Sequence, residues 1–233
     1  MNSARPSAYG FSTRHAFLIL DGSLSMQGEE LASGLPKHRQ VSWMVGQLVD
    51  RLGEPAFDET YLSINVYDAQ PQPDGRYLPC IEERLVRYNT QTATYQGQED
   101  LTLWDPLNGH GGATPIGAAL AHGVEQAEAW INDASGSEQR RAVIFLLSDG
   151  MNNVGDDGRS LRARIDLFNR ECAHGQLRLA TIGYFQHPQG EDAEEDAGRE
   201  LLRALPTNPH AYFESGDVEK ILAYIVATIT VLG

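Results

Sequence analysis

The chain has 233 residues, 41% of them hydrophobic and 21% charged, which suffices for one globular core. Its formal net charge of −14 and pI ≈ 4.8 argue against a nucleic-acid partner held through phosphates and against an anionic membrane surface. They favour cations, or a partner with a basic face. Apolar runs such as Ala16 to Leu20 and Ala142 to Leu147 are too short to cross a bilayer, and the first residues lack the apolar stretch of a secretory signal, so a cytoplasmic protein is expected. Cys80 and Cys172 stand far apart in neither a CxxC nor a zinc-ligand pattern, which predicts two reduced thiols.

After a polar lead over residues 1–14, a single domain is expected over 15–233. Ala16 to Leu20 is solidly apolar and reads as a buried central strand. Leu35 to Leu52 reads as a helix, because Val41, Met44, Val45, Leu48, Val49 and Leu52 recur at helical spacing. Tyr61 to Tyr67 alternates and is rich in β-formers, and Ile81 to Tyr88 gives a second extended segment that could pair with it antiparallel at one edge. Asn89 to His110 reads as an irregular, functional loop with Leu101, Leu103 and Trp104 as apolar anchors. Thr114 is expected to cap a helix to about Asn132, with Pro115 at its first position. Arg141 to Leu147 is a second buried strand, followed by a helix over Arg159 to Ala173 and a strand over Leu177 to Tyr184. A short helix around Asp196 to Leu205, a strand at His210 to Phe213 and a helix from Asp217 to Leu232, capped by Asp217, complete the pattern. This alternation predicts an α/β, Rossmann-like doubly wound sheet of six strands, mostly parallel with one antiparallel edge strand, and helices on both faces.

In such sheets ligands bind beyond the carboxyl ends of the strands, where strand order reverses. Three groups are expected there. Asp21, Ser23 and Ser25 follow the first strand, Thr114 opens the middle helix, and Asp149 ends the strand after it. Carboxylate and hydroxyl oxygens suit a hard cation such as Mg²⁺, which keeps several waters and leaves a coordination position open.

The stretches Asp21-Gly22-Ser23-Leu24-Ser25, Gly111-Gly-Ala-Thr114-Pro-Ile-Gly117 and Leu147-Ser-Asp149-Gly150 together resemble the von Willebrand factor A (VWA) domain with its metal-ion-dependent adhesion site (MIDAS). The resemblance covers nearly the whole chain and includes the order of elements. It implies that Ser23 and Ser25 ligate Mg²⁺ directly, with Mn²⁺ or Ca²⁺ as alternatives. It further implies that Thr114 is a movable ligand, that Asp21 and Asp149 act largely through waters, and that a partner's Asp or Glu fills the open position. Leu24 stands where many bacterial members have Gly, and Ser148 where Thr is frequent. Small stand-alone bacterial members work beside MoxR-type AAA+ ATPases or in kinase and phosphatase signalling sets, which makes such proteins the implied partners.

Each group also has a plainer reading. Asp21, Ser23 and Ser25 could form a polar turn with serines capping the next helix, Thr114 a simple cap, and Asp149-Gly150 a turn. The acidic run Glu191 to Asp196 lacks EF-hand spacing and reads as a solvated face leading into a helix. His110 reads as a loop residue, and Trp104 with Leu103 as a partner contact. No GxSxG, GxxxxGK[ST] or HExxH pattern is present, so a non-enzymatic binding module is expected ahead of a metal-dependent hydrolase or a metal-free VWA scaffold.

Overall fold

The computed structural model describes residues 13–28, 34–54, 59–90, 92–97, 112–135 and 138–231. In chain order the elements are β1 (Thr13–Asp21), α1 (Lys37–Leu52), β2 (Thr60–Pro71), β3 (Tyr77–Asn89), β4 (Thr94–Gly97), α2 (Ile116–Asn132), β5 (Arg140–Ser148), α3 (Arg159–Glu171), β6 (Gly175–Gly183), α4 (Ala193–Ala204), β7 (Tyr212–Glu214) and α5 (Val218–Val231). The strands form one sheet in the order β4-β3-β2-β1-β5-β6-β7. Parallel pairing joins β2, β1, β5, β6 and β7, while β3 runs antiparallel to β2.

This is the doubly wound, mostly parallel α/β sheet that the alternation predicts. One detail differs. The four-residue β4 lies within the expected loop and pairs antiparallel with β3, so β3 is second from the edge. Its sequence, Thr94-Tyr-Gln-Gly97, is too short and too polar to carry a strand signal of its own. The rest of the expected loop, with Leu101, Leu103, Trp104 and His110, lies outside the described residues.

Alternation along the buried strands divides the core into two layers. Ala16, Leu18 and Leu20 of β1 join Val143, Phe145 and Leu147 of β5 against the apolar stripe of α1 and Ile221, Leu222 and Ile225 of α5. Phe17 and Ile19 join Ala142, Ile144 and Leu146 beneath α2, Ile165 of α3 and Leu201 and Leu202 of α4. Apolar side chains on both faces are what a parallel sheet covered by helices requires. They also explain why β1 and β5 read as continuous hydrophobic runs.

The chain leaves β1 toward β2 on one side, then returns through α2 to β5 on the other. The carboxyl ends of β1 and β5 are therefore the reversal point of strand order, where a crevice opens. Register sets the depth: Leu20 is level with Leu147 and Asp21 with Tyr67. The acidic run at α4 departs from a wholly solvated face. Asp192 caps the helix by accepting from the Glu194 and Glu195 amides. Glu195 is buried, accepts from the amides of Gln186 and His187 at 3.2 and 3.0 Å, and lies beside the buried Arg199. Burial is tolerated because the carboxylate is met by backbone donors and a guanidinium.

Close backbone approach explains Gly117 in the first turn of α2, since a Cβ there would stand 2.0 Å from the Asp156 carbonyl oxygen. Gly46, inside α1, has nothing within 4 Å of the same position. Gly117→Ala is expected to destabilise the protein by about 2–3 kcal/mol through overpacking. Gly46→Ala is expected to stabilise it by about 0.5–1 kcal/mol through helix propensity. Urea unfolding of the two variants beside the parent checks both signs.

Candidate metal centre

Asp21 ends β1 fully buried. Its Oδ1 accepts from the Ser23 amide at 2.9 Å, and its Oδ2 accepts from the Ser148 hydroxyl at 2.6 Å and the Tyr67 hydroxyl at 3.4 Å. The chain then enters a short 3₁₀ turn, Leu24–Gln27, pinned to the core by Met26. Ser23 precedes that turn without capping it through its side chain. Its Oγ instead lies 3.0 Å from Ser25 Oγ, and the Ser25 hydroxyl donates to Asp149 Oδ1 at 2.6 Å. The plain reading of these serines as helix caps is thereby set aside.

Leu24 sits in this turn with 55% of its surface exposed. Among the described residues Ala93 alone of the non-glycines has positive φ, so the turn does not require Gly at position 24. The Leu24 side chain projects into solvent and leaves the two serine hydroxyls in contact.

Asp149 is more than the turn residue of a DG pair. Its second oxygen, Oδ2, accepts from Lys37 Nζ at 2.6 Å, with the two side chains only 7% and 0% exposed. Asp21, Ser23, Ser25, Ser148, Asp149 and Lys37 thus form one continuous hydrogen-bonded cluster across the carboxyl ends of β1 and β5.

Thr114, 4% exposed, is tied through its backbone to Asn153, four residues beyond Asp149. Its amide donates to Asn153 Oδ1 at 2.6 Å, and its carbonyl accepts from the Asn153 amide at 3.2 Å. The expected capping role is corrected: Pro115 holds the N-cap position, and α2 begins at Ile116. Asn152 Oδ1 accepts from the Ile116 amide at 2.8 Å. The helix start is capped from the loop after β5, which leaves the Thr114 side chain out of that task. The same loop that carries Asp149 therefore also sets the position of Thr114.

The two carboxylates are both buried, and Asp21 feels the charge of Asp149. Burial pushes the Asp21 carboxyl up to about 6, the charge of Asp149 adds to the effect, and hydrogen bonds from Ser148 and Ser23 oppose it. Burial, followed by the charge of Asp21, holds the Tyr67 phenol well above its ordinary range. The cluster has an excess of negative charge, and a cation among its oxygens would relieve it. Among the described residues no three of His, Cys, Asp and Glu converge as a metal cluster; the donors here are two carboxylates and hydroxyls. Lys37, Tyr67, Asn152 and Asn153 were not flagged by the motif. Lys37 carried a signal even so, since a lysine at the first position of a helix stands at the wrong end of the helix dipole.

Asp21 supplies a test with a definite sign. Its native carboxyl titrates above the unfolded value, so the charged form is penalised in the fold. That penalty is complete above pH 6 and relieved as pH falls toward 4. Asp21→Asn is expected to raise stability at pH 7.5 in EDTA by on the order of 2 kcal/mol, since the Ser148 hydroxyl can turn its proton to the Gly150 carbonyl at 3.3 Å. Thermal melts from pH 4.5 to 7.5 should show the parent losing stability relative to this variant as pH rises. Parallel curves would show that Asp21 carries no such penalty.

No protein-family model matches the chain. An uncharacterized protein of Synechocystis sp. is 29% identical over 170 residues, covering 73% of this chain and 32% of the relative. The chain thus spans about a third of that relative's length. Among solved structures, proximal thread matrix protein 1 from the mussel byssus aligns with TM-score 0.54 at 15% identity, over 94% of this chain and 48% of that one. A mutant of the PilB minor pilin of Streptococcus sanguinis aligns with TM-score 0.57 at 12% identity, over 97% and 63%. These alignments cover most of the chain, which has a VWA-like α/β fold.

Proposed function

We propose that the cluster is a MIDAS-type site that holds a divalent cation, Mg²⁺ by preference over Mn²⁺ or Ca²⁺, and that the protein is a metal-dependent interaction module rather than an enzyme. The observation that carries this reading is the chain of oxygens from Asp21 through Ser23 and Ser25 to Asp149. Mg²⁺ bonds oxygen at about 2.0–2.1 Å in an octahedron, so neighbouring ligand oxygens stand about 2.9–3.0 Å apart. The Ser23 and Ser25 hydroxyl oxygens are 3.0 Å apart. Hard oxygen donors, an excess of buried negative charge and that spacing all fit the ion.

Ser23 and Ser25 would bind the cation directly, Thr114 would bind directly or through water, and Asp21 and Asp149 would orient waters and balance charge. The bound ion would supply an electrophilic position for an Asp or Glu side chain of a partner protein, a charge-assisted contact. Ser25 and Leu24 are exposed at the mouth of the site, which gives the partner a hydroxyl and an apolar contact beside the ion. The donors around the two carboxylates are hydroxyls, amides and one ammonium, a set that orients charge rather than one built as a nucleophile with its base.

The setting belongs to the same proposal. We read residues 15–233 as a single VWA domain that works in the bacterial cytoplasm, with a MoxR-type AAA+ ATPase or a kinase and phosphatase set as partner. Sequence resemblance supports this assignment. No described helix is long and apolar enough to cross a membrane.

Equilibrium binding of Mn²⁺, followed by its paramagnetic resonance signal, tests the site. The parent is expected to bind one ion, Mg²⁺ to compete for it, and Ser23→Ala to weaken it at least tenfold, or about 1.4 kcal/mol. Capture of a partner from native lysate should require Mg²⁺ and fail in EDTA and with Ser23→Ala. Equal capture under all three conditions would refute the module reading.

A further inference from the structure

Lys37 is one of only two lysines in a chain with sixteen arginines, and it is buried at the first position of α1. Three observations are hard to reconcile with a merely structural lysine. The ammonium stands at the positive end of a helix dipole, where a cation is disfavoured. It is removed from water, which a strongly hydrated ammonium resists. Its backbone is also tied to the serine turn, because the Lys37 amide donates to the Gly28 carbonyl and the Gly28 amide donates to the Ser25 carbonyl, each at 3.0 Å. What offsets the first two costs is Asp149 Oδ2, 2.6 Å from Nζ.

We infer that Lys37 is a tethered cation that competes with divalent metal for Asp149. The inference rests on the metal-site reading above. A lysine ammonium is a compact point charge with three donors and fits where an ion fits; the broad, planar guanidinium found elsewhere in this chain does not. With Nζ bonded to Asp149, the cluster holds one positive charge against two carboxylates. Entry of a divalent ion makes that ammonium a like charge at close range, so Nζ withdraws from Asp149 and the side chain moves toward solvent. Metal affinity is then set by the difference between two cations competing for the same carboxylate. The lysine also keeps the crevice ordered at low metal concentration.

Two measurements test this. Mn²⁺ binding is compared between the parent, Lys37→Met and Lys37→Gln, with Ser23→Ala added to each to locate the ion. Loss of the tethered cation is expected to tighten binding at least tenfold. The same variants should melt lower than the parent in EDTA, because Asp149 is left without its cation, and should gain more from metal than the parent does. Either variant suffices if the other fails to fold. In the second measurement the parent is treated with a lysine acylating reagent in EDTA and in saturating MgCl₂, and labelled peptides are quantified by mass spectrometry. Lys220, whose side chain is 70% exposed, serves as the internal reference. Lys37 labelling is expected to rise at least fivefold relative to Lys220 when Mg²⁺ is present. Equal Mn²⁺ affinity in parent and variants, or Lys37 labelling unchanged by Mg²⁺ in a protein that binds it, would overturn the role of Lys37 and leave the metal site standing. Absence of Mn²⁺ binding in the parent and in both variants would overturn both readings.

Discussion

Two carboxylates brought side by side at the carboxyl ends of adjacent parallel strands are the constraint around which this molecule is arranged. Asp21 and Asp149 are each almost sealed from solvent, and the burial of like charges raises the energy of both. Everything nearby is a response to that. Ser148 and Tyr67 donate hydroxyls to Asp21, the turn after β1 folds its own amide back onto the same carboxylate, and Lys37 crosses from α1 to Asp149. The reversal of strand order between β1 and β5 creates the crevice, and the carboxylates give it a sign. Neither feature alone would concentrate negative charge in a crevice.

Much of the fold was legible because the chain alternates buried strands with amphipathic helices. The strands β1 and β5 are apolar on both faces, the α1 stripe repeats at helical spacing, and Asp217 accepts from the Glu219 and Lys220 amides where a helix cap was expected. The short β4 was not legible, since pairing with β3 rather than any intrinsic preference makes it a strand. Burial of Glu195 was hidden for a similar reason. Its partners, the Gln186 and His187 amides and Arg199, converge through the turn after β6 and one turn of helix, and an acidic run taken by composition reads only as solvated.

For the site, the motif residues were legible and their support was not. Asp21, Ser23, Ser25 and Asp149 announce themselves by spacing, and the structure joins them through direct hydrogen bonds. Thr114 was placed at the right helix with the wrong task, because Asn152 reaches across thirty-six residues to cap α2. Such a cap exists only once β5 and α2 are side by side. Lys37 is the more instructive omission. It lies twelve residues beyond Ser25 and belongs to no motif, yet it contacts Asp149, more than a hundred residues away, as closely as Ser25 does. Its position against the helix dipole was the one local sign that a distant carboxylate was waiting for it.

The charge of the whole chain adds the final step. A formal net charge of −14 and a crevice lined by two carboxylates repel any acidic side chain that approaches, and the repulsion grows as water is expelled from the contact. A partner's Asp or Glu would be accepted there only after a cation has offset that negative charge. A lysine already bonded to Asp149 is neutralised by it and presents little attraction outward. A divalent ion in its place would bring the two carboxylates from one net negative charge to neutrality and turn an open coordination position toward the mouth of the site. For the proposed metal site the order of events would then follow from electrostatics: Lys37 would hold Asp149 until a divalent ion enters, the ion would make the crevice acceptable to a carboxylate, and the same acidic surface that draws the ion in would exclude acidic partners until it has bound.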